Sequence, residues 1–374
     1  MVAHTWNWLQ KNWPHFTYDL DALTYLEYQF LENNGTLIGV LKHVKNDSKD
    51  DLLVDILIDE AIKTSEIEGE YLNRDSVQSS IKRNLGLKFE NIKVPPAEYG
   101  IAEMMVDLYL NSEEPLSHQQ LYKWHKMVVN GRRDLTDVGK YRTHQDLMQV
   151  ISGNLDSPTV HFEAPPSDQV LSEMQHFIKW FNKIHSQKNN LYRFPLTKAG
   201  IAHLYFVSIH PFEDGNGRIA RAITEKSIAL STKQPTFIAL SQMIEKNKKN
   251  YYHALELNNK SLEITDWLVY FSKTILDAQK DTLKRIDFLI EKTKFFDTYS
   301  QLLNDRQLKV IKKLFEAGYT GFIGGLSADN YMKITKTSAS TTTRDLSDLV
   351  NKKILLKTGM LKSTRYFLNI KTTL

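Results

Sequence analysis

The chain has 374 residues, which is enough for two or three domains with separate hydrophobic cores. Hydrophobic residues make up 41% and charged residues 25%, as in ordinary globular proteins, and no apolar run approaches the roughly 20 residues of a membrane helix. The absence of cysteine excludes disulfides and thiolate metal sites, and the start lacks a signal-peptide pattern. We therefore expect a cytoplasmic protein without membrane contact.

The net charge of +4 is unevenly distributed along the chain. Residues 301–374 contain 13 Lys and Arg against 5 Asp and Glu, whereas the remainder contains 35 against 39. A basic tail on a slightly acidic body predicts a second module with a different partner.

Apolar residues at three- and four-residue spacing predict a mainly α-helical chain. The first predicted helices cover 19–44, 49–65, 74–85, 97–111 and 117–129. Asn73 or Asp75 is expected to start the third helix, and Ser117 to cap the fifth. Between them and the later helices, "LMQVI" and "TVHFE" are short β-prone segments joined by turn residues, which predicts a hairpin within 139–166. Further helices are predicted at 168–184, 197–210, 216–231, 239–258 and 262–292.

The N-terminal segment is rich in aromatic residues, namely Trp6, Trp8, Trp13, Phe16 and Tyr18. We interpret these rings as anchors that hold the segment on the body of the protein. A peptide-binding surface is the alternative.

A polar loop follows the apolar helix that ends near His210. The sequence after this residue, "PFEDGNGRIAR", contains Pro211 and two glycines, which force a tight loop before a new helix near Gly217. We expect Asn216 to cap that helix. The unpaired N–H groups of its first turn, approached closely through Gly215 and Gly217, predict an anion-binding nest.

The charged residues of this segment suit a nucleotide. Arg218 and Arg221 leave one face of the new helix near the nest, and two arginines there fit the β- and γ-phosphates. Asp214 is a hard oxygen ligand for Mg²⁺, and neutral His210 can accept a proton. The group predicts phosphoryl or nucleotidyl transfer to a hydroxyl. A loop with a core histidine and solvated charges is the structural alternative.

A P-loop and a zinc site are two weaker interpretations of the motif. A Walker-type P-loop is excluded because Gly-x-x-x-x-Gly-Lys-Ser/Thr does not occur in the sequence. His203 lies on the same helical face as His210, but no clustered ligands accompany a zinc pair. We therefore interpret His203 as a core histidine.

The segment "HPFEDGNGRIAR" resembles the signature of Fic-domain proteins, His-x-Phe-x-Asp/Glu-Gly-Asn-Gly-Arg-x-x-Arg, at every defined position. The resemblance implies a Fic-type helical core and protein AMPylation, in which AMP passes from ATP to a Ser, Thr or Tyr hydroxyl with loss of pyrophosphate. It implies His210 as general base, Asp214 as Mg²⁺ ligand and Phe212 as a structural plug. The implied phosphate-binding residues are Gly215, Asn216, Gly217, Arg218 and Arg221.

Two further segments resemble parts of that family. "GKYR" (residues 139–142) and the predicted hairpin resemble the flap that aligns a target peptide by strand pairing, with a working edge near Val160, His161 and Phe162. "YYHALELNN" resembles the segment that closes over adenine. This resemblance implies that Tyr251, Tyr252 and Asn259 contact the nucleoside; helix packing is the alternative for the tyrosines.

The segment "TSEIEG" resembles the family's inhibitory pattern, Ser/Thr-x-x-x-Glu-Gly/Asn, at Thr64, Glu68 and Gly69. A Glu68 carboxylate paired with Arg221 would occupy the guanidinium meant for the γ-phosphate. The chain thus resembles the self-inhibited class, in which Glu68 would also be placed to orient a water that removes AMP. A solvated glutamate at a helix end is the alternative.

The resemblance divides the chain into an N-terminal inhibitory region over 1–98, a Fic core over 99–292 and a separate domain over 300–374. The last has the pattern of a winged helix, with three helices followed by two strands around Gly359. A DNA contact is one interpretation of its basic character. A protein-interaction or homodimer module of the same fold is the other.

These features predict a self-inhibited, Mg²⁺-dependent protein adenylyltransferase that takes ATP and a target protein, with itself as one candidate target. One alternative is a DNA-binding regulator whose Fic core senses a nucleotide. Another is a Fic enzyme that transfers a different phosphate-containing group.

Overall fold

The computed structural model describes residues 6–153, 158–186, 194–319, 321–322 and 324–370, apart from the side chain of Asp47. The chain forms two compact units. The larger unit contains residues 6–36 and 53–280, and the smaller unit contains 37–52 and 281–370. The mainly α fold is confirmed. No described helix is both long and apolar enough to span a bilayer.

The helices of the N-terminal half are α1 (Asp21–Leu41), α2 (Asn46–Ile67), α3 (Arg74–Asn84), α4 (Pro96–Leu110), α5 (His118–Val128) and α6 (Ser167–Ser186). They are followed by α7 (Pro195–Ile209), α8 (Asn216–Thr232), α9 (Leu240–Lys246), α10 (Lys248–Asn258) and α11 (Thr265–Tyr299). The last three are α12 (Asp305–Glu316), α13 (Ala328–Thr335) and α14 (Ala339–Asn351). The strands are β1 (Gln149–Ser152), β2 (Thr159–Glu163), β3 (Leu355–Thr358) and β4 (Arg365–Leu368).

Helix α7 forms the centre of the larger unit. Its sequence is apolar on every side, and nearly all of its residues are buried, as expected for a helix surrounded by others. It packs against α8 and against α6, where Phe177 meets Tyr205 edge to face at 5.1 Å. The loop between α7 and α8 is therefore held at both ends by helices whose residues are nearly all buried.

The hairpin predicted within 139–166 is confirmed as an antiparallel pair of β1 and β2, although the predicted turn at 154–157 lies outside the described residues. Val150 pairs with Phe162 and Ile151 with Val160, so His161 is an extra residue at a bulge. This hairpin is called the flap below.

The N-terminal aromatic segment packs on the larger unit, as the anchoring interpretation predicted. Trp6 meets Phe162 of the flap at 5.4 Å, and Trp13 meets Tyr205 at 5.1 Å. The Asn7 side chain donates a hydrogen bond to the Ser208 hydroxyl at 2.8 Å.

Several predicted boundaries were wrong. The predicted helix 239–258 is two helices, because Asn247 has φ −127° and ψ 35° and interrupts the helical backbone. The predicted helix 262–292 starts at Thr265 and continues to Tyr299, because Phe288 and Phe295 keep apolar spacing and pack on Phe315 in the smaller unit. The predictions of Asn73 and Ser117 as N-caps are confirmed by side-chain hydrogen bonds.

The smaller unit has its own core, formed by residues of α12, α14 and β3 such as Val310, Leu346 and Leu355. Its last part has the predicted order of three helices and an antiparallel hairpin, in which β3 pairs with β4. Residues 320, 323 and 371–374 of the predicted domain lie outside the described part of the chain. The winged-helix assignment and its DNA or protein partner stay predictions.

Candidate active site

The catalytic candidate His210 lies immediately after α7, at a sharp reversal of the chain. Its backbone is left-handed, with φ 51° and ψ 58°, and its N–H still bonds to Phe206 O. Buried Arg142 holds this reversal: its Nε donates to His210 O at 2.8 Å and its N–H donates to Pro211 O at 2.9 Å. The sequence placed Arg142 only in a flap motif, because spacing does not distinguish a buried arginine from a solvated one.

His210 is half-buried and lines a cleft of about 790 Å³. Burial lowers its pKa to about 4, so the imidazole is neutral near pH 7. Nδ1 lies 3.3 Å from Val207 O. A proton on Nδ1 satisfies that contact and leaves Nε2 as the basic nitrogen.

The loop after His210 is closed by Asn216. Its Oδ1 accepts from Phe212 N–H at 3.0 Å and its Nδ2 donates to Phe212 O at 2.8 Å. Phe212 is buried and stacks on His125 at 4.2 Å, which fits the structural plug expected from the sequence.

The prediction that Asn216 caps α8 was wrong, because its side chain is used within the loop. The helix begins at Asn216, and Gly215 occupies the N-cap position with φ 82° and no side-chain cap. An N-terminus without a capping side chain keeps its partial positive charge available to an anion. The phosphate contact predicted for Asn216 would therefore involve its backbone N–H.

Arg221 is buried and is held by α2. Its Nε donates to Thr64 Oγ1 at 2.7 Å, and its Nη2 donates to Thr64 O at 3.0 Å and to Glu68 Oε1 at 2.7 Å. Gly69 follows in a left-handed conformation, φ 86°, and ends the helical turn. The structure thus brings together the inhibitory candidates and the arginine that the sequence predicted for them.

The Glu68 carboxylate also lies against the start of α8. A Cβ built on Gly217 would be only 2.2 Å from Glu68 Oε1, so the carboxylate lies in contact with the glycine backbone. An anionic group of the chain itself therefore occupies the predicted nest. Nη1 of Arg221, which a Cβ at 217 would approach to 3.2 Å, has no hydrogen-bond partner among the described residues.

Arg218 is paired with a residue that the sequence reasoning missed. Its Nη1 donates to Glu70 Oε2 at 2.6 Å and to Val128 O at 3.4 Å, and its Nη2 lies 3.6 Å from Asp214 Oδ1. Its Nε has no hydrogen-bond partner in the described part of the chain. Glu70 was not singled out because it lies outside the inhibitory pattern.

The two helices meet in a regular register, because positions four residues apart share one helix face. Thr64 of α2 and Glu68, in the turn directly after it, face Arg221 and Gly217 of α8. One turn further, Glu60 and Glu225 form a buried acid pair, and burial raises the pKa of both carboxyl groups. Two columns of residues, spaced by four, therefore fix α2 on α8.

The metal candidate Asp214 has a cation of the chain beside it. Arg132 Nη1 lies 2.5 Å from Asp214 Oδ2, while Oδ1 accepts from Gly215 N–H at 2.6 Å. Within the described residues no three His, Asp or Glu side chains cluster as a metal site. A single partly exposed carboxylate fits Mg²⁺ if the other ligands are phosphate oxygens and water.

The flap and α10 complete the cleft. Its lining includes Gln149, Val150, Ile151, Ser152, His161 and Phe162 of the flap. Val160, the third predicted flap residue, is exposed on β2 and does not line the cleft. The part of the flap that lines the cleft therefore includes β1 as well as the bulge at His161.

The adenosine candidates Tyr251, Tyr252 and Asn259 all line the same cleft. Tyr251 is only 2% exposed, and its hydroxyl bonds to Nε2 of buried His203 at 2.8 Å. His203 thus behaves as a core histidine, as expected. Asn259 donates from Nδ2 to His161 O at 2.9 Å, and its Oδ1 has no hydrogen-bond partner among the described residues.

A sequence model of the Fic/DOC family matches residues 115–227, from α5 through the flap to α8. The chain therefore contains a Fic/DOC-family domain. A second model, described as a domain of unknown function (DUF4172), matches residues 6–87, which include the aromatic segment and α2. The Fic domain thus contains His210, Asp214 and both arginines, whereas Glu68 and Glu70 belong to the preceding match.

Curated relatives of the Fic domain are named protein adenylyltransferase Fic. The one from Drosophila ananassae is 26% identical over 196 residues, covering 52% of this chain and 35% of the relative. The one from Drosophila yakuba is 28% identical over 196 residues, with the same coverage of 52% and 35%. The chain thus matches about a third of the length of these relatives.

Solved structures share the fold. A Fic family protein from Desulfovibrio desulfuricans G20 has a TM-score of 0.53 and 20% identity, covering 95% of this chain and 98% of that chain. Fic-1 from C. elegans has a TM-score of 0.50 and 20% identity, covering 71% of this chain and 74% of that chain. At this identity the likeness concerns the fold.

Proposed function

We propose that this protein transfers AMP from ATP to a hydroxyl side chain of a target protein, and that Glu68 restrains the reaction. The observation that carries the proposal is that His210, the N-terminus of α8 and Glu68, the anionic partner of Arg221, line one cleft. The name of the curated relatives, protein adenylyltransferase, supports AMP as the transferred group.

The triphosphate of ATP would lie over Gly217, where glycine lets a phosphate approach the backbone. Its β- and γ-phosphates would bind Arg218 and Arg221, because planar guanidinium groups suit phosphate oxygens. The nucleoside would extend along the cleft toward Tyr252 and Asn259. Binding energy from the nucleoside would then help to position the α-phosphate.

In the reaction, the target hydroxyl oxygen forms a bond to the α-phosphorus, and the bond between that phosphorus and the oxygen bridging to the β-phosphate breaks. Pyrophosphate leaves with the bond electrons. The hydroxyl proton passes to Nε2 of His210, because Nδ1 faces Val207 O. Burial keeps the imidazole free to accept the proton near pH 7 by lowering its pKa to about 4.

Asp214 would hold Mg²⁺ together with the phosphate oxygens, after Arg132 releases the carboxylate. When bound, Mg²⁺ would offset negative charge that develops on the departing pyrophosphate.

Inhibition follows from charge and space. The Glu68 carboxylate occupies Arg221 and lies against Gly217, where a phosphate would need to lie. Two anions in contact repel strongly in a partly buried site, so a γ-phosphate would be displaced unless Glu68 moves. In the reverse direction, with no γ-phosphate in the site, Glu68 would be placed to orient a water that removes AMP from a modified hydroxyl, with His210 as acid.

A DNA-binding regulator with a nucleotide-sensing Fic core is the alternative that the smaller unit favours. Ser340, Thr343 and Ser347 lie exposed on α14, as does Arg344, and Arg344 has no acidic partner among the described residues. Such a face suits backbone and base contacts in a major groove. A sensor, however, has little use for a free basic nitrogen beside the nest.

The test is incubation of the Glu68→Gly protein with α-labelled and γ-labelled ATP and Mg²⁺. We expect label from the α position only, on protein, with a mass gain equal to AMP if the chain modifies itself. UTP, GTP and CDP-choline serve as competing donors that reveal a different transferred group. Transfer of the γ label would overturn AMPylation, and salt-sensitive duplex binding without any labelling would favour the regulator.

A further inference from the structure

Two acidic residues, on either side of one glycine, engage the two arginines of α8. Gly69 has φ 86°, a conformation that only glycine adopts without strain, and the turn is closed by a bond from Glu70 N–H to Ser65 O at 2.9 Å. Nothing lies within 4 Å of a Cβ built on Gly69, so glycine is needed there for its backbone conformation and not for lack of space. The turn directs Glu68 to Arg221 and Glu70 to Arg218.

Both arginines combine neutral partners with one carboxylate. Arg221 is bonded by the Thr64 hydroxyl and carbonyl as well as by Glu68. Arg218 is bonded by the Val128 carbonyl as well as by Glu70. The neutral partners fix the guanidiniums, so each arginine is expected to keep its position when its carboxylate is lost.

The arginines are buried, but the two carboxylates are not. Arg218 and Arg221 expose only 2% and 1% of their side chains, whereas Glu70 and Glu68 expose 32% and 26%. A buried cation without an anion is unfavourable. We therefore expect each carboxylate to stay paired with its arginine until another anion takes its place. Asp214 Oδ1, 3.6 Å from Arg218, gives only partial compensation.

We infer that Glu70 is a second inhibitory carboxylate, which competes with a nucleoside triphosphate for Arg218 while Glu68 competes for Arg221. The inference rests on the proposed function, in which both arginines bind phosphates. Its consequence is that removal of Glu68 alone frees Arg221 but leaves Arg218 paired with Glu70. The Glu70 carboxylate then still opposes the phosphate beside Arg218, and ATP binds more weakly than the arginine pair would allow.

The test compares Glu70→Gln, Glu68→Gln and the double variant in the full chain by calorimetric titration with ATP, AMP and adenosine. Glutamine keeps the size of the side chain and removes its charge. ATP must displace the charge-assisted bond between each carboxylate and its arginine, and the substitution weakens that bond. We therefore expect each substitution to tighten ATP binding by about tenfold or more. The gains should add in the double variant, and adenosine affinity should not change.

Glu66→Gln is the matched control, because Glu66 lies in the same turn and pairs with Lys63 of its own helix. Glu70→Ala serves as a second variant, and melting temperatures check that each protein is folded. If Glu70→Gln and Glu70→Ala alter ATP affinity no more than Glu66→Gln, with and without Glu68→Gln, the inference is wrong. If they tighten ATP binding but no AMP is transferred by any variant, the inference holds and the proposed reaction fails.

Discussion

The carboxylate of Glu68 lies directly against the backbone of Gly217, so that a Cβ on the glycine would be 2.2 Å from Oε1. The glycine belongs to α8 and the glutamate to the turn after α2, and they are part of different sequence motifs. Because of this contact, any side chain added at Gly217 would reduce the space both for the Glu68 carboxylate and for the expected phosphate. It also makes the two positions energetically coupled.

The effect of Gly217→Ala on the free energy of unfolding should therefore have opposite signs in the native chain and in the Glu68→Gly chain. In the native chain the added methyl group meets Glu68 Oε1, so the carboxylate must shift away from buried Arg221, and loss of such a bond costs roughly 1–3 kcal/mol. In a Glu68→Gly chain the same methyl group meets mainly the end of Arg221, and alanine is favoured over glycine in a helix by roughly 0.5–1 kcal/mol. Melting temperatures of the four proteins of this double-mutant cycle measure the difference. Equal shifts in both backgrounds would contradict the contact.

His210→Asn should abolish transfer without unfolding the loop. Asparagine tolerates the left-handed conformation that residue 210 adopts, so the reversal held by Arg142 is retained. Loss of the base should reduce the transfer rate of the Glu68→Gly protein by about 10²–10⁴-fold. ATP affinity, measured by titration, should remain within about threefold because the phosphate groups are unchanged. Transfer at an undiminished rate would remove His210 from the mechanism.

Arg132→Ala should increase the apparent affinity for Mg²⁺ in the presence of ATP. The guanidinium lies 2.5 Å from the Asp214 carboxylate, and its removal frees that oxygen for a metal ion. The measurement is the Mg²⁺ concentration that gives half-maximal ATP binding to the Glu68→Gly protein. Arg133→Ala is the control, since this exposed neighbour forms no ion pair within the described residues. An unchanged Mg²⁺ requirement would mean that Arg132 does not compete with the ion.

The protein should lose stability as the pH falls below about 6.5, the usual pKa of histidine. Burial lowers the pKa of His125, His185 and His210 to about 4, and that of His203 to about 3. Between these values the unfolded chain binds protons that the folded chain does not, which favours unfolding by about 1.4 kcal/mol per pKa unit and group. Glu27, Glu60 and Glu225, whose pKa is raised by burial, act in the opposite direction as the pH rises above 4.5.

The four histidines outnumber the three carboxyl groups, so the free energy of unfolding should rise with pH between pH 5 and 6.5. Melting temperatures at constant ionic strength measure it, and His185→Gln should make the slope shallower. A flat profile would contradict the burial of these imidazoles in the folded chain.

Local sequence was a good guide where one segment carries the chemistry. The apolar helix, the polar loop and the glycines predict where His210, Gly217 and Arg221 come together, since all of them belong to two consecutive helices and the loop between them. The inhibitory pattern also predicted the Glu68–Arg221 pair across 153 residues. Both predictions depended on patterns with fixed spacing.

Contacts that depend on three-dimensional packing could not be predicted. Arg142, Arg132 and Glu70 reach the site from loops, and a charged residue in a loop gives no sign of whether it is buried or paired. Asn216 was assigned to capping by its position, but the loop needed both of its polar atoms. Helix ends failed for a similar reason, since packing of Phe295 on Phe315 extends α11 beyond the point that its own pattern suggests.

The contacts that hold β2 would have a thermodynamic consequence for a target strand docked on the flap, the role that the family resemblance implies. Trp6 packs on Phe162, Trp8 donates to Glu163 O at 2.7 Å and Asn259 donates to His161 O at 2.9 Å, so three successive residues are held from outside the hairpin. A docking strand consequently meets a template that has already lost its conformational freedom. Most of the ordering cost of that encounter then falls on the incoming chain, and targets that are themselves extended or constrained gain the most.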